Sequence, residues 1–102
     1  MAKKEKPEHD EAAAEARNMI AITRALSDPT RLALFRHIAN QENASCMEMR
    51  ECISLSPATL SHHMRQLESA GLVETHRDGK LLRAEVRRKA WKNYLAWLKD
   101  LA

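Results

Sequence analysis

Residues 56–71 read SPATLSHHMRQLESAG, and this stretch carries both a start signal and a stop signal for one helix. Ser56 can cap the helix and Pro57 suits its first turn, whereas Gly71 can take the left-handed conformation at which helices end. With about 100° of rotation per residue, a narrow apolar stripe forms from Leu60, Met64 and Leu67. The opposite face is polar and nearly free of acid, which is typical of a helix that reads base edges in a DNA groove. The alternative is an ordinary polar surface helix.

A β-hairpin is predicted directly after this helix. Residues 72–76 and 81–86 have strand character, and the RDGK turn at 77–80 contains the Asp-Gly hairpin signal. Arg77 and Lys80 lie at the predicted tip and Arg83 on the second strand, where all three can reach phosphates. A helix followed by a basic-tipped hairpin is the order of a winged helix.

The preceding sequence predicts three more helices. Residues 1–10 are charged and contain Pro7, so we expect a disordered tail there and one folded domain over 11–102. An Ala-rich first helix should run from about Asp10 to Leu26. A second helix should begin at Pro29 after the Asp28 cap, with a core stripe of Leu32, Phe35, Ile38 and Ala39. Ser45 and Glu48 match a capping box that starts a short third helix, which turns into the fourth at residues 54–55.

The last predicted helix, over residues 87–101, carries an unusually wide apolar stripe. Its members are Ala90, Trp91, Tyr94, Leu95, Trp97, Leu98 and Leu101. One chain needs only about 100° of a helix for its own core, so this stripe indicates a second surface. We therefore predict a homodimer interface at the last helix that contains Trp91, Tyr94, Leu95 and Leu98, helped by the first helix. The alternative is that the two tryptophans cap the core of the monomer.

Composition and charge narrow the class of protein. The chain has 102 residues, a hydrophobic fraction of 44% and a net charge of +3. Residues 1–56 hold eight bases and nine acids, whereas residues 57–102 hold nine bases and five acids, so the positive charge coincides with the predicted DNA-binding half. No apolar run is long enough for a bilayer span or a signal peptide, which predicts a cytoplasmic protein without a membrane partner.

Three motifs together resemble the ArsR/SmtB family of bacterial winged-helix repressors. They are ALSDPTRLALF at 25–35, LSPATLSHH at 55–63 and LESAGLV at 67–73, and the resemblance covers roughly residues 16–86. It implies a mainly α fold, with four helices, a small β-hairpin and a fifth helix, and a homodimer joined through the first and last helices. The family's base-reading and phosphate-contacting positions carry over onto Ser56, Thr59, Ser61, His62 and Arg65. The wing contribution carries over onto Arg77 and Lys80.

The family's inducer sites carry over poorly. Its arsenic-type Cys-x-Cys pair would fall on Ser45 and Met47, with Cys46 out of register between them, and the last helix lacks the His of the zinc-type site. No cofactor is therefore assigned, and the metal site is unknown. His62 and His63 point about 100° apart on a helix and cannot chelate one ion, so His62 is interpreted as a DNA contact and His63 as partly buried packing.

Cys46 and Cys52 are the candidate sensing thiols, by oxidation or by binding a soft metal or metalloid. Cys46 sits at a helix start, where the helix dipole favours a thiolate. The two are about 9 Å apart along a helix, beyond the reach of a disulfide, so a bridge would require the third helix to unwind and could itself be the switch. The alternative is that both thiols are core packing.

The leading hypothesis is a dimeric DNA-binding transcriptional repressor that an inducer releases from an inverted-repeat operator. A winged-helix protein-interaction module and a repressor without metal or redox sensing are the alternatives. An enzyme is disfavoured because the sequence has no catalytic carboxylate pair, no Ser-His-Asp set and no glycine-rich phosphate loop among its two glycines.

Overall fold

A computed structural model describes the backbone of residues 7–102 and the side chains from residue 10 onward. In chain order the elements are α1 (Pro7–Ala25), α2 (Pro29–Ala39), β1 (Ala44–Ser45), α3 (Cys46–Ile53), α4 (Pro57–Ser69), β2 (Val73–Asp78), β3 (Leu81–Val86) and α5 (Arg88–Asp100). The predicted winged helix-turn-helix fold is confirmed, with the hairpin between the fourth and fifth helices.

The hairpin is part of a three-stranded antiparallel sheet in the order β1-β3-β2. Asp78 is opposite Leu81 in the register, so the loop has only two residues and Gly79, with a φ of 65°, provides its left-handed position. The predicted four-residue turn was thus too long, and Arg77 belongs to β2. Strand β1 was not predicted, because two residues carry no alternation; it exists through its pairing of Ala44 with Ala84.

The core lies between α1, α2, α3, α4 and the inner face of the sheet. Leu34, Ile38, Met49, Leu67 and Leu72 are fully buried in it. The predicted stripe of α4 is confirmed, since Leu60, Met64 and Leu67 are all buried. Cys46 and Met49 of α3 are buried as well. The predicted stripe of α2 is wrong at one position: Leu34 is buried, whereas Leu32 is 41% exposed.

Helix α1 begins earlier than the sequence predicted. The tail prediction for residues 1–10 is wrong for its last four residues, which are helical from Pro7 onward; residues 1–6 lie outside the described residues. Proline suits the first helical position, and the run from Glu8 to Ala25 contains no glycine or further proline, so nothing in it stops the helix from extending towards Pro7.

Helix α5 packs on the core through its aromatic residues. Trp91 lies against Phe35 with ring centroids 4.8 Å apart, and Tyr94 is buried. Thr23 Oγ1 donates to the Met19 carbonyl, so Tyr94 donates its hydroxyl hydrogen to Thr23 over 2.8 Å. The assignment of Tyr94 to a dimer surface is therefore corrected, because its ring is buried within its own subunit. Trp91 is only partly buried, so its place at a dimer surface stays a prediction.

The apolar face that α5 leaves exposed consists of leucines. Leu95, Leu98 and Leu101 are 46%, 37% and 64% exposed. Ile20 on α1 is 45% exposed as well. Leu95 and Leu98 on α5, Leu101 at its C-cap and Ile20 on α1 are thus exposed apolar side chains on or next to the two elements that the resemblance implicated in dimerisation.

Candidate nucleic-acid interface

The turn between α3 and α4 places the N-terminus of α4 at the surface. Ser54 ends α3 with a left-handed φ of 62°, and the Leu55 N–H donates to the Arg50 carbonyl over 3.1 Å. Ser56 then caps α4, because its Oγ accepts from the Thr59 N–H over 3.2 Å. Pro57 occupies the first turn, as predicted.

The polar face of α4 points into solvent. Leu60, Met64 and Leu67 are buried, whereas the predicted contact residues Thr59, Ser61, His62 and Arg65 are all exposed. Glu68 is the only acid of the helix, and it is tied to β2: its Oε2 accepts from the Thr75 Oγ1 over 2.9 Å and from the Thr75 N–H over 3.3 Å. The negative charge is therefore used to join α4 to the hairpin.

Ser56 has a different role from the other predicted contacts. Besides accepting from the Thr59 backbone, its hydroxyl donates to Thr59 Oγ1 over 2.9 Å. Both hydrogen-bonding functions of this side chain are engaged inside the helix cap. Its main role in the structure is therefore to position the start of α4.

The hairpin, hereafter the wing, brings its cationic tip towards α4. Arg77 and Lys80 are exposed, and they line a cleft of about 260 Å³ together with Pro57 and Ser61 at the start of α4. Two of the predicted wing contacts and one of the predicted helix contacts thus border the same cleft. Such an arrangement can contact adjacent phosphates and base edges of one duplex.

Arg83 is not free to contact DNA phosphates, as its sequence position had suggested it would be. Its Nε is 3.0 Å from Asp78 Oδ2, and its Nη1 donates to the Asn43 carbonyl over 2.9 Å. The prediction that Arg83 reaches phosphates is corrected by these contacts. Arg83 instead ties the wing to the segment before β1, and its guanidinium neutralises the acid next to the tip.

Sequence reasoning overlooked Arg50. It lies in the last turn of α3 and lines the same cleft as Arg77 and Lys80. The described lining contains these three cations and no acidic side chain. Arg50 lines the cleft because the end of α3 packs near the wing, which is a tertiary contact. In the sequence, Arg50 was recognisable only as a basic residue in the helix before the turn.

His63 joins α4 to the start of α2. Arg31 Nη1 donates to His63 Nδ1 over 3.2 Å, and Arg31 Nε donates to the Ala25 carbonyl over 2.7 Å. Burial lowers the pKa of His63, and Arg31 lowers it further, against the opposing effect of Asp28. Backbone hydrogen bonding at the α2 cap, chiefly from Arg31, lowers the pKa of Asp28. The predicted partly buried His63 is thus a neutral acceptor that ties two helices together.

The two cysteines occupy different environments. Cys46 is buried and Cys52 is exposed, and both are free thiols. Burial raises the pKa of Cys46, and the Glu68 charge raises it further. The pKa of Cys46 is thus shifted in the direction opposite to the one that a favoured thiolate requires, because burial disfavours the charged form.

The described part of the chain contains no cluster of three or more His, Cys, Asp or Glu side chains that could hold a metal ion. Within residues 7–102, no helix combines the length and the apolar character that crossing a membrane requires.

Comparisons with known proteins agree with this architecture. Residues 26–76 match the family model described as a helix-turn-helix domain. The cadmium resistance transcriptional regulatory protein CadC of Listeria innocua is 35% identical over 57 residues, which are 56% of this chain and 48% of that protein. The chain spans about half the length of the first curated relatives that it matches.

Solved structures share the fold. An ArsR-like transcriptional regulator from Rhodococcus superposes with a TM-score of 0.76 at 19% identity, over 86% of this chain and 82% of that one. The homodimeric winged helix-turn-helix DNA-binding domain from Mycobacterium bovis gives a TM-score of 0.74 at 20% identity, over 99% of this chain and 89% of that one. With its three motifs, its fold and these matches, the chain belongs to the helix-turn-helix domain family and, within it, to the ArsR/SmtB group.

Proposed function

We propose that this protein is a homodimeric transcriptional repressor that binds an inverted-repeat operator through α4 and the wing. The observation that carries the proposal is the exposed polar face of α4 beside three cations that have no acidic neighbour in the described cleft lining. The proposed contacts are Thr59, Ser61, His62 and Arg65 on α4, with Arg77 and Lys80 on the wing and Ser56 as the cap. DNA binding agrees with the expected cytoplasmic location of the protein. The proposed function requires no catalytic step.

The proposed dimer joins α1 and α5 of two copies through Ile20, Leu95, Leu98 and Leu101. Their exposure supports this assembly, as does the homodimeric state of the Mycobacterium bovis domain. A twofold dimer would place two α4 helices in successive major grooves, about 34 Å apart. The operator should therefore contain two related half-sites.

The first test is retardation of a labelled DNA fragment that carries the protein's own promoter. We expect binding at low salt that weakens steeply as salt rises, because phosphate contacts release counterions. A protein-interaction module would leave this DNA unretarded at every salt concentration. That result would contradict the proposal.

The second test compares two arginine variants in the same assay. Arg65→Ala should weaken specific binding by about tenfold or more, because it removes a contact from the reading face. Arg36→Ala is the matched control, since Arg36 is also exposed but lies on α2 at a separate cleft. Equal affinity of the two variants would move the reading face away from α4.

The proposal includes release of the operator by thiol oxidation that starts at Cys52. Exposure of Cys52 supports this order, since peroxide can convert its thiol to a sulfenic acid with loss of water. Attack by the Cys46 thiol would then form a disulfide and release a second water, which requires α3 to unwind. Because α3 leads directly into α4, this unwinding would displace the reading helix.

Peroxide and arsenite titrations of the operator complex test the sensing step. We expect peroxide to release wild-type protein, and Cys52→Ser to abolish the release while operator binding is kept. Cys46→Ser should block the disulfide but allow the first oxidation. Release of the double variant by peroxide would assign both thiols to packing, and release by arsenite alone would favour metalloid binding.

A further inference from the structure

The cleft between α3, the start of α4 and the wing has a lining that DNA binding does not explain. Its inner part is apolar and is formed by Cys46, Leu60, Met64 and Leu82, whereas its rim carries Arg50, Arg77 and Lys80. Phosphate contacts need only the cationic rim. An apolar interior below a cationic rim is the complement of a small molecule with a hydrocarbon body and an anionic head.

The interior is uncharged as well as apolar. Burial and the nearby Glu68 keep the Cys46 thiol protonated, so the floor of the cleft bears no negative charge. Leu60 and Met64 are 7% and 4% exposed and are held in place by the packing of α4. Met47, which is 55% exposed, and Leu81 form adjustable apolar walls at the mouth.

The rim presents its cations to solvent. Among the described residues, neither Arg77 nor Lys80 nor Arg50 has an acidic side chain within 4.0 Å. Asp78 is the acid next to the tip, and Arg83 binds it. Three cations around one mouth attract a single anionic group, and the cleft volume of about 260 Å³ suits a short chain or one aromatic ring.

We propose that this cleft is the binding site of a small amphipathic anion, a carboxylate with an apolar tail, and that the occupied cleft and the operator exclude each other. The exclusion follows because Ser61, Arg77 and Lys80 border the cleft and are also among the proposed DNA contacts. This second half of the inference rests on the proposed function. The first half, anion binding, is independent of it.

The binding test uses octanoate and the methionine methyl groups of the DNA-free protein. Met47 and Met64 line the cleft, whereas Met19 is buried on α1 and Met49 is buried outside the lining. With ¹³C-labelled methyl groups, we expect octanoate to shift the Met47 and Met64 resonances in a saturable way and to leave Met19 in place. No saturable shift, or equal shifts at Met19, would overturn the proposal.

Two control probes test the chemical class of the ligand. Inorganic phosphate has the charge without the tail, and 1-octanol has the tail without the charge. We expect both to bind at least about tenfold more weakly than octanoate, because each uses only one part of the cleft. Equal binding of phosphate would make the cleft a plain phosphate site, and equal binding of octanol would make it a plain apolar one; either result overturns the proposal.

A matched pair of variants tests the rim. Arg77→Gln with Lys80→Gln should weaken octanoate binding by about tenfold, as expected for the loss of two exposed charge contacts. Lys89→Gln with Lys92→Gln removes the same charge from exposed positions of α5 and should leave the binding unchanged. The unperturbed Met19 resonance verifies folding of each variant. Equal affinities of the two variants would refute the role of the rim.

Fluorescence anisotropy of a labelled operator tests the exclusion. We expect octanoate to weaken operator binding in proportion to its occupancy of the cleft, and phosphate at equal ionic strength to have a smaller effect. Undiminished operator binding by octanoate-saturated protein would overturn the exclusion. If the free protein does not bind the operator at all, the proposed function fails, while the methionine shifts still decide whether the cleft binds the anion.

Discussion

At the scale of single residues, burial decides which functional groups are reactive. Cys46 and Cys52 are six positions apart on one helix, yet one thiol lies in the core and the other in solvent. A helix N-terminus favours a thiolate only where the charged form stays hydrated. The chemistry of each thiol therefore follows its place in the tertiary fold.

Alkylation should report this difference between the two thiols. We expect iodoacetamide near neutral pH to modify Cys52 about tenfold faster than Cys46 or more, because Cys46 is buried and its pKa is raised. Peptide mapping by mass spectrometry after timed quenching measures both rates in one sample. Modification of the two thiols at similar rates would mean that the first turn of α3 opens readily.

His63 should make stability depend on pH. Its pKa in the folded protein lies below the unfolded value of about 6.5, so the unfolded chain takes up the proton first. The free energy of unfolding should therefore fall as pH drops below about 6.5, and this loss should level off below the folded-state pKa. Protonation also removes the acceptor of the Arg31 hydrogen bond.

Urea denaturation at about pH 7.5 and about pH 5.5 checks this dependence. His63→Gln should have a smaller difference in unfolding free energy between the two pH values than wild type. His62→Gln, which changes the exposed neighbouring histidine, should retain most of the wild-type difference, because the His62 charge is the smallest of the causes that shift the His63 pKa. If His63→Gln kept the wild-type difference in unfolding free energy between the two pH values, groups other than His63 would be responsible for that difference.

At the scale of elements, α4 depends on its cap at one end and on Glu68 at the other. The Ser56 side chain satisfies the Thr59 N–H, and Glu68 joins the helix to β2 through Thr75. The Glu68–Thr75 hydrogen bonds thus set the position of the polar face of α4 relative to the wing, whereas the Ser56 cap fixes where the helix begins. The buried stripe between them sets its rotation.

Removal of the cap should cost measurable stability. Ser56→Ala should lower the unfolding free energy by about 1 kcal/mol, because the Thr59 N–H loses its partner. Ser69→Ala, at an exposed position in the last turn of the same helix, is the control and should change stability by less than about 0.5 kcal/mol. Equal effects in urea denaturation would indicate that the cap is not formed in solution.

At the scale of the whole molecule, the exposed leucines of α5 should hold two copies together. Leu98→Glu should dissociate the dimer, since a carboxylate would be buried against apolar side chains without a partner. Sedimentation velocity measures the change. Leu32→Glu makes the same substitution at a comparably exposed leucine of α2 and should leave the dimer intact.

Operator binding by the Leu98→Glu variant should weaken together with dimerisation, because one half-site supplies only part of the contacts. The circular dichroism spectrum of the variant should show an unchanged helical content, since Leu98 is 37% exposed in the monomer. Wild-type protein that sediments as a monomer at high concentration would contradict the dimer outright.

Much of this architecture follows from local signals in the sequence. Asp28, Ser45 and Ser56 cap their helices as predicted, and Gly71 and Gly79 take the left-handed conformations that their positions required. Caps, turns and 3.6-residue periodicity depend on neighbours a few positions apart, so they can be read from the chain. The polar face of α4 was predictable for the same reason.

Tertiary structure decided the features that depend on distant partners. Strand β1 exists because β3 pairs with it, Arg83 is engaged because Asp78 and the Asn43 carbonyl are near, and Tyr94 is buried because α1 offers Thr23. The cleft likewise combines α3, α4 and the wing. The periodicity of the sequence indicates which side of an element is apolar. Only packing determines what covers that side and which charged side chains come together.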